Sequence, residues 1–333
     1  MRGDMDTSAR GPVEIALLLY PGVQMASVLG MTDFLRFADQ AARNNNEAHD
    51  VPLLRVSHWS LEEGPVPVRV FDSYPMSSSE PTVVVIPPAL APPAEDGAVR
   101  YAAWLRNRHA QGATLASVCA GTFVLGATGL LAGRTVTTHW FFKEALQIRF
   151  PEVLVDTNRL IIDDGEILTA GGVMAWTDLT LKLIGRFLSG PIMIRTARAF
   201  VVDPPGRQQA YYSAFAPKLD HGDAAILKVQ HWLQTTDTRE ADLDAMAARA
   251  GMEKRTFLRR FQKATGLTST DYVQRLRVGR AQELLQFTTQ TLEQIAWKVG
   301  YADVGAFRKV FARVVELSPS DYRKRFRAVA DVG

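Results

Sequence analysis

Cysteine is nearly missing from this chain of 333 residues: Cys119 stands alone. One thiol cannot close an intramolecular disulfide, so a reducing compartment is the expected setting. Long apolar runs are missing as well. No stretch approaches the roughly 18 unbroken apolar residues that a membrane span needs. The first dozen residues are polar and lack the apolar core of a signal peptide. These absences point to a cytoplasmic protein with no membrane partner. No metal site and no cofactor is expected. An overall excess of one charge is lacking too, since 38 Lys/Arg stand against 35 Asp/Glu. With 47% apolar residues and a mean hydropathy of −0.04, the chain is of the globular class, and its length suits two domains.

What is present is unevenly placed. Residues 1–221 carry 19 Lys/Arg against 22 Asp/Glu, a net of −3, and residues 222–333 carry 19 against 13, a net of +6. A third of the chain holds the whole positive excess, as expected of the part that meets phosphates. That third also contains a segment written twice. Phe257-Leu-Arg-Arg-Phe261 is followed by Gly266, Asp271-Tyr272 and Arg275. Fifty positions later come Phe307-Arg-Lys-Val-Phe311, Asp321-Tyr322 and Arg325. Ahead of each Phe pair an apolar helix pattern ends at glycine: Leu243, Met246, Ala247, Gly251, then Leu292, Ile295, Ala296, Gly300. The offset there is 49, so the second copy has one extra residue in its turn. A repeat of this period is one supersecondary unit used twice. Helix, glycine turn, basic helix reads as a DNA-binding helix-turn-helix, with motifs at about 242–263 and 291–314.

On a helical wheel at 100° per residue, Phe257, Phe261 and Ala264 share one side. Arg255, Arg259, Gln262 and Lys263 lie opposite, with Leu258 at the margin and Lys254 at the start. In the second copy Phe307, Val310, Phe311 and Val314 face inward, while Gly305, Arg308, Lys309, Ala312 and Arg313 face out. A solvated arginine face is the bland reading of either helix alone. Duplication with a local charge excess favours the major groove of a double-stranded operator, where Arg grips guanine in bidentate fashion and Leu258 touches a thymine methyl. Candidate contacts are Lys254, Arg255, Leu258, Arg259, Gln262 and Lys263 in the first copy, and Gly305, Arg308 and Lys309 in the second. The first copy has the richer face and is expected to discriminate bases; the sparser second is expected to position the backbone. A connecting helix of roughly 18 residues spans ~27 Å, suited to readers about one DNA turn, ~34 Å, apart.

The segment 224–327 resembles the AraC/XylS family of transcription regulators. The resemblance rests on Leu243-Asp-Ala-Met-Ala247, Phe257-Leu-Arg-Arg-Phe261, Gly266, Tyr272, Arg277, Ala281, Ile295-Ala296, Gly300-Tyr301, Phe307, Phe311 and Ser318-Pro319…Tyr322-Arg323. It implies an all-α domain with two helix-turn-helix motifs, with RNA polymerase as a partner and activation as the output. Two positions depart: Ser269 stands where the first repeat often has Pro, and Glu316 where the second usually has Gly.

The first 200 residues alternate strand and helix signals. Val13–Tyr20, Leu53–Trp59, Val66–Phe71, Thr82–Ile86 and Ala113–Val118 read as strands. Met25–Ala42, Ala98–His109 and Gly121–Leu131 read as helices, Arg159–Thr169 as a hairpin, and Gly172–Leu188 and Ile192–Val202 as helices parted by Gly190-Pro191. This is an α/β domain with a mainly parallel sheet. Residues 203–223 read as a linker. Beyond it seven helices are expected and no strand.

Cys119 falls where a strand meets a helix, the position of a nucleophile elbow, with Thr137-Thr138-His139 twenty residues on. A Cys and a His are the minimum for nucleophilic catalysis, but a lone Cys among small residues is more often a small buried hydrophobe. Ser117-Val-Cys-Ala-Gly121, Gly129-Leu-Leu-Ala-Gly-Arg134 and Thr137-Thr-His-Trp140 resemble the PfpI-like, class I glutamine-amidotransferase-like, flavodoxin-like fold, and more closely the sensor half of GlxA-type AraC regulators. The likeness spans about 12–202 and implies a sensor and dimerisation domain. The enzymes of that fold set a carboxylate against the cysteine from the first helix-entry loop. Matching around Gln24-Met25-Ala26-Ser27 puts Ala26 there, and Trp176 stands where many relatives have Gly. A non-enzyme is expected, with a ligand pocket at Cys119, His139, Trp140 and Trp176. The effector would be a small metabolite such as an amino-acid derivative or quaternary amine; the tryptophans either face a cation or belong to the core. The open alternatives are a thiol-dependent hydrolase or hydratase, and a cysteine redox sensor.

Overall fold

The computed structural model describes residues 11–44, 51–62, 64–213, 215–235 and 241–327. The chain divides into two compact units, residues 1–209 and 210–333. Among the described residues no helix is long and apolar enough to cross a membrane.

The strands of the first unit are β1 (Val13–Leu19), β2 (Leu54–Ser60), β3 (Val68–Asp72), β4 (Val83–Ile86), β5 (Thr114–Val118), β6 (Thr135–Val136), β7 (Leu154–Val155), β8 (Ile161–Asp163) and β9 (Ile167–Ala170). Its helices are α1 (Met25–Arg43), α2 (Glu95–Val99), α3 (Ala102–Ala110), α4 (Gly121–Gly126), α5 (Lys143–Arg149), α6 (Trp176–Phe187) and α7 (Gly190–Ala199). Seven strands form one sheet in the order β3-β2-β1-β4-β5-β9-β8. The inner five are parallel, and both edges, β3 and β8, are antiparallel. Ile15–Leu18 and Val83–Ile86 are wholly buried, as continuous apolar runs are when both sheet faces are covered.

Counting only parallel strands, the spatial order is second, first, third, fourth, fifth. That is the flavodoxin-like winding, whose crevice opens outside the carboxyl ends of β1 and β4. The edge is held from below by charge. Arg55 on β2, fully buried, donates to Glu14 on β1 at 2.9 Å and to Asp72 on β3. Such a pair is stable when each charge is met by its opposite, and costly to break from one side.

Local differences from the sequence expectation have local causes. The helix expected over 121–131 stops at Gly126, because Thr128 donates its hydroxyl to Leu125 O at 2.6 Å and Gly129 takes a φ of 78°. The helix expected over 98–109 is two, α2 and α3, parted where Tyr101 turns into the core. Gly190-Pro191 does not end a helix but opens α7, capped by Ser189, since Pro in the first turn loses no hydrogen bond.

The second unit contains α8 (Ala224–Thr235), α9 (Leu243–Ala250), α10 (Lys254–Thr265), α11 (Ser269–Phe287), α12 (Leu292–Lys298), α13 (Val304–Val315) and α14 (Pro319–Phe326). It has two separate cores. Phe257, Phe261, Tyr272, Val273 and Ile226 belong to one; Phe307, Phe311, Tyr322, Val278 and Leu285 belong to the other. At 100° per residue, Tyr272, Val273 and Leu276 fall on one side of α11, and Val278, Ala281 and Leu285 on the opposite side. The long helix therefore serves both cores with opposite faces of its two halves.

Candidate functional site

Cys119 is at the elbow between β5 and α4, with φ at 55°, a left-handed conformation that costs a non-glycine residue about 1–2 kcal/mol. The turn is tight: a Cβ at Gly121 would sit 2.5 Å from Ile86 O. Cys119 N–H donates to Ala170 O at 2.8 Å, and its Sγ lies 3.8 Å from Ala89 O. The side chain has no exposure, and burial pushes the thiol up to about 12. A thiolate is what reacts, and burial of this thiol disfavours that form.

The four residues expected to share a pocket are only partly brought together. Thr138 donates its hydroxyl to Cys119 O at 2.8 Å, which places His139 one residue away. The His139 ring has local partners: its Nδ1 accepts from Phe141 N–H at 3.1 Å, and it lies tilted against Trp140 and Phe142. Burial lowers the His139 pKa. Trp176 packs edge-on against Phe34, and a Cβ at Gly30 would sit 2.5 Å from its ring. Among the described residues no hydrogen bond or ring contact joins Trp176 to Cys119, His139 or Trp140. Ala26, at the start of α1, is exposed, while its neighbour Ser27 is buried and donates its hydroxyl to Gln24 O at 2.6 Å. Neither position supplies a carboxylate.

Sequence reasoning missed a strap at the end of the first unit. Residues 205–209, read as linker, are packed into it. Arg159 and Gln208 form an isolated antiparallel bridge. Arg207 pairs with Asp178, which is 2% exposed. Gln209 Nε2 donates to Thr138 O at 3.0 Å and to Thr157 O at 2.9 Å, and its Oε1 accepts from Trp140 N–H at 2.9 Å. Gly171 leaves the space: a Cβ there would sit 2.3 Å from Gln209 Nε2. The available signal was Asp178, a carboxylate in the first turn of an amphipathic helix, which when buried calls for a cationic partner. Beside the strap is a cleft of about 600 Å³ framed by α6, α7 and β8.

In the second unit every expected DNA-contacting residue is exposed: Lys254, Arg255, Leu258, Arg259, Gln262 and Lys263 on α10, and Gly305, Arg308 and Lys309 on α13. The aromatic backs are fully buried. Phe261 meets Tyr272 edge-on at 5.2 Å, and Phe311 meets Tyr322 likewise at 5.6 Å. The cations differ in freedom. Lys254 pairs with Asp244, and Arg260 is held by Asp223 at 2.9 Å on the other side of α10. Arg313 is drawn to Asp271 and Gln274 on α11. Arg255, Arg259 and Lys263 have no ion-pair partner among the described residues, so three unspent charges project from one helix face.

Comparison with known proteins accounts for both units. Residues 246–325 match a family described as a helix-turn-helix domain, and residues 72–186 match the DJ-1/PfpI family. The HTH-type transcriptional regulator GlxA of Rhizobium meliloti is 29% identical over 225 residues, 66% of this chain and 68% of that protein. The HTH-type transcriptional regulator GbdR of Pseudomonas aeruginosa is 26% identical over 67% of this chain and 61% of its own length. An isonitrile hydratase of Pseudomonas putida is 29% identical over 51% of this chain and 70% of its own length. The chain thus spans about two thirds of the regulators it matches, whereas the enzyme covers only half of it.

Proposed function

Starting from a chain that joins an AraC-type helix-turn-helix domain to a DJ-1/PfpI-family domain, we propose that it is a sequence-specific regulator of transcription, an activator working in the cytoplasm. Its partners are a double-stranded DNA operator, RNA polymerase and a second copy of itself. Its first unit binds a small metabolite, such as an amino-acid derivative or quaternary amine, without turning it over. The observation that carries the reading is the pair of helices, α10 and α13, each aromatic behind and cationic in front. Such faces suit base edges and phosphates. Ligand acts by shifting the population toward the arrangement that fits the operator, in proportion to its preference for that state.

Arg255, Arg259, Gln262 and Leu258 read bases, while Arg308, Lys309 and the small Gly305 seat the second helix on the backbone. Selection of operator sequences from random DNA, followed by binding titrations, tests this. Arg259→Ala should cost ~1–3 kcal/mol and relax preference at one base pair, whereas Lys309→Ala should weaken all sequences alike and flatten the salt dependence. Equal, base-specific losses from both substitutions would overturn the division of labour. Unchanged DNA binding in the double variant would overturn the reading itself. The absence of turnover is supported by the buried Cys119 thiol and by Ala26, at the position where the enzymes it resembles carry an acid.

A further inference from the structure

The cleft beside the strap belongs neither to the elbow nor to the helix-turn-helix pair. At about 600 Å³ it is in the size range of small-molecule sites, which run ~300–1,000 Å³. Leu160, Leu181 and Met193 give it apolar walls, while Arg159, Lys182 and Arg207 bring positive charge. The one carboxylate lining it, Asp178, is already committed: Arg207 holds it, and Thr177 donates its hydroxyl to it at 3.2 Å. Lys182 leans 3.0 Å toward Asp163, which also serves Arg186. That leaves Arg159 exposed, without an ion-pair partner among the described residues. A hollow of mixed apolar and polar lining, with one uncompensated cation on its rim, selects an anion with an apolar part. A planar guanidinium on that rim matches a carboxylate in geometry as well as charge.

We propose that this cleft binds a compact organic carboxylate, its apolar body against Leu160 and Met193 and its charge on Arg159 and Arg207. The proposal rests on the reading of the first unit as a sensor and, of the effectors named there, favours an amino-acid derivative, held through its carboxylate, over a quaternary amine. It also gives binding a route out. The carboxylate offers Arg207 an alternative to Asp178, and Arg207 is two residues before Gln209, where the first unit ends. A change at Arg207 therefore bears on the anchor of the strap itself. Differential contact with one partner or the other is what a ligand needs in order to shift a conformational balance.

The test uses the full chain, without DNA, and measures thermal shift and isothermal titration. Hexanoate and benzoate are compared with their neutral carboxamides and with inorganic phosphate, all at millimolar concentration. At least one carboxylate should raise the unfolding temperature, because it binds only the folded state; the carboxamides and phosphate should not. Arg159→Gln, at an exposed position, should weaken the bound carboxylate about tenfold or more, as loss of one charge-assisted contact does. Gly185→Leu should abolish the shift by filling the cleft, since a Cβ at 185 meets only Met193, at 3.8 Å. No shift with either carboxylate, equal shifts with the carboxamides, or a response to phosphate alone would overturn the proposal. So would wild-type affinity in both variants. Operator binding by the ligand-free chain is titrated in parallel. If that fails while carboxylates bind, the regulator reading falls and the cleft stands; if carboxylates fail while DNA binds, only the cleft falls.

Discussion

The Cys119 sulfur sits 3.8 Å from Ala89 O with no solvent exposure, and burial pushes the thiol up to about 12. At neutral pH the thiolate population is then negligible. Iodoacetamide should label native protein far more slowly than denatured protein, and Cys119→Ser should retain operator binding, with or without peroxide. Rapid labelling of the native chain would restore the redox alternative. Glu316 makes the opposite kind of residue-scale argument. It ends α13 at a φ of 60°, where the first copy has Gly266 at 73°. The left-handed region costs a side chain about 1–2 kcal/mol, and glycine's greater freedom when unfolded takes back part of that. Glu316→Gly should stabilise the second unit by about 0.5–1 kcal/mol in urea unfolding, whereas Gly266→Glu should destabilise it. His58 sets a pH dependence. Its Nε2 is 2.8 Å from the Thr32 hydroxyl, its ring stacks on Phe71, and burial lowers its pKa below the usual 6.5. His139 is lowered too. Between the lowered pKa and 6.5 the unfolded chain binds more protons, so stability is full above about pH 6.5 and falls as the solution becomes more acidic. His58→Gln should flatten that slope in pH-resolved thermal unfolding.

At the scale of elements, the two copies enter their second helices differently. Asp303 accepts the Ala306 N–H at 2.6 Å and caps α13, while Glu253, at the same place before α10, makes no side-chain cap. Asp303→Ala should therefore cost about 1 kcal/mol, and Glu253→Ala nearly nothing, by denaturant titration. The repeat runs further than the aromatic pattern suggests: Thr268 and Ser318 cap α11 and α14 alike, each accepting at 3.1 Å from an Asp N–H three residues on. These helices were legible because caps, glycine stops and apolar spacing agree within a few residues. The parallel strands were legible for the same reason, as buried runs between turns. The two-residue strands β6 and β7 and the short α5 were not, since nothing periodic fits in so few positions. The cleft was illegible too, because its walls come from residues near 160, 182, 193 and 207 and meet only in the folded sheet.

At the scale of the whole molecule, the burial pattern contains more cores than domains. The first unit has one large core built on β1, β4 and β5, and the second has two small ones joined through α11. Cores that share no side chains need not melt together, and two-state behaviour is not expected of such a chain. Calorimetry of the full chain should therefore resolve at least two transitions. Phe261→Ala and Phe311→Ala each remove a fully buried ring, a change that costs about 3–5 kcal/mol. Each should lower the transition of the second unit and abolish operator binding, while leaving the transition of the first unit and its thermal response to hexanoate or benzoate in place. The two lesions should also resemble one another, since α11 carries Tyr272 against Phe261 and Val278 and Leu285 into the core around Phe311. A Phe261→Ala protein that still binds half an operator through an intact second motif would show that α11 does not couple the two cores. A single transition displaced as a whole by either substitution would show that the two units fold as one.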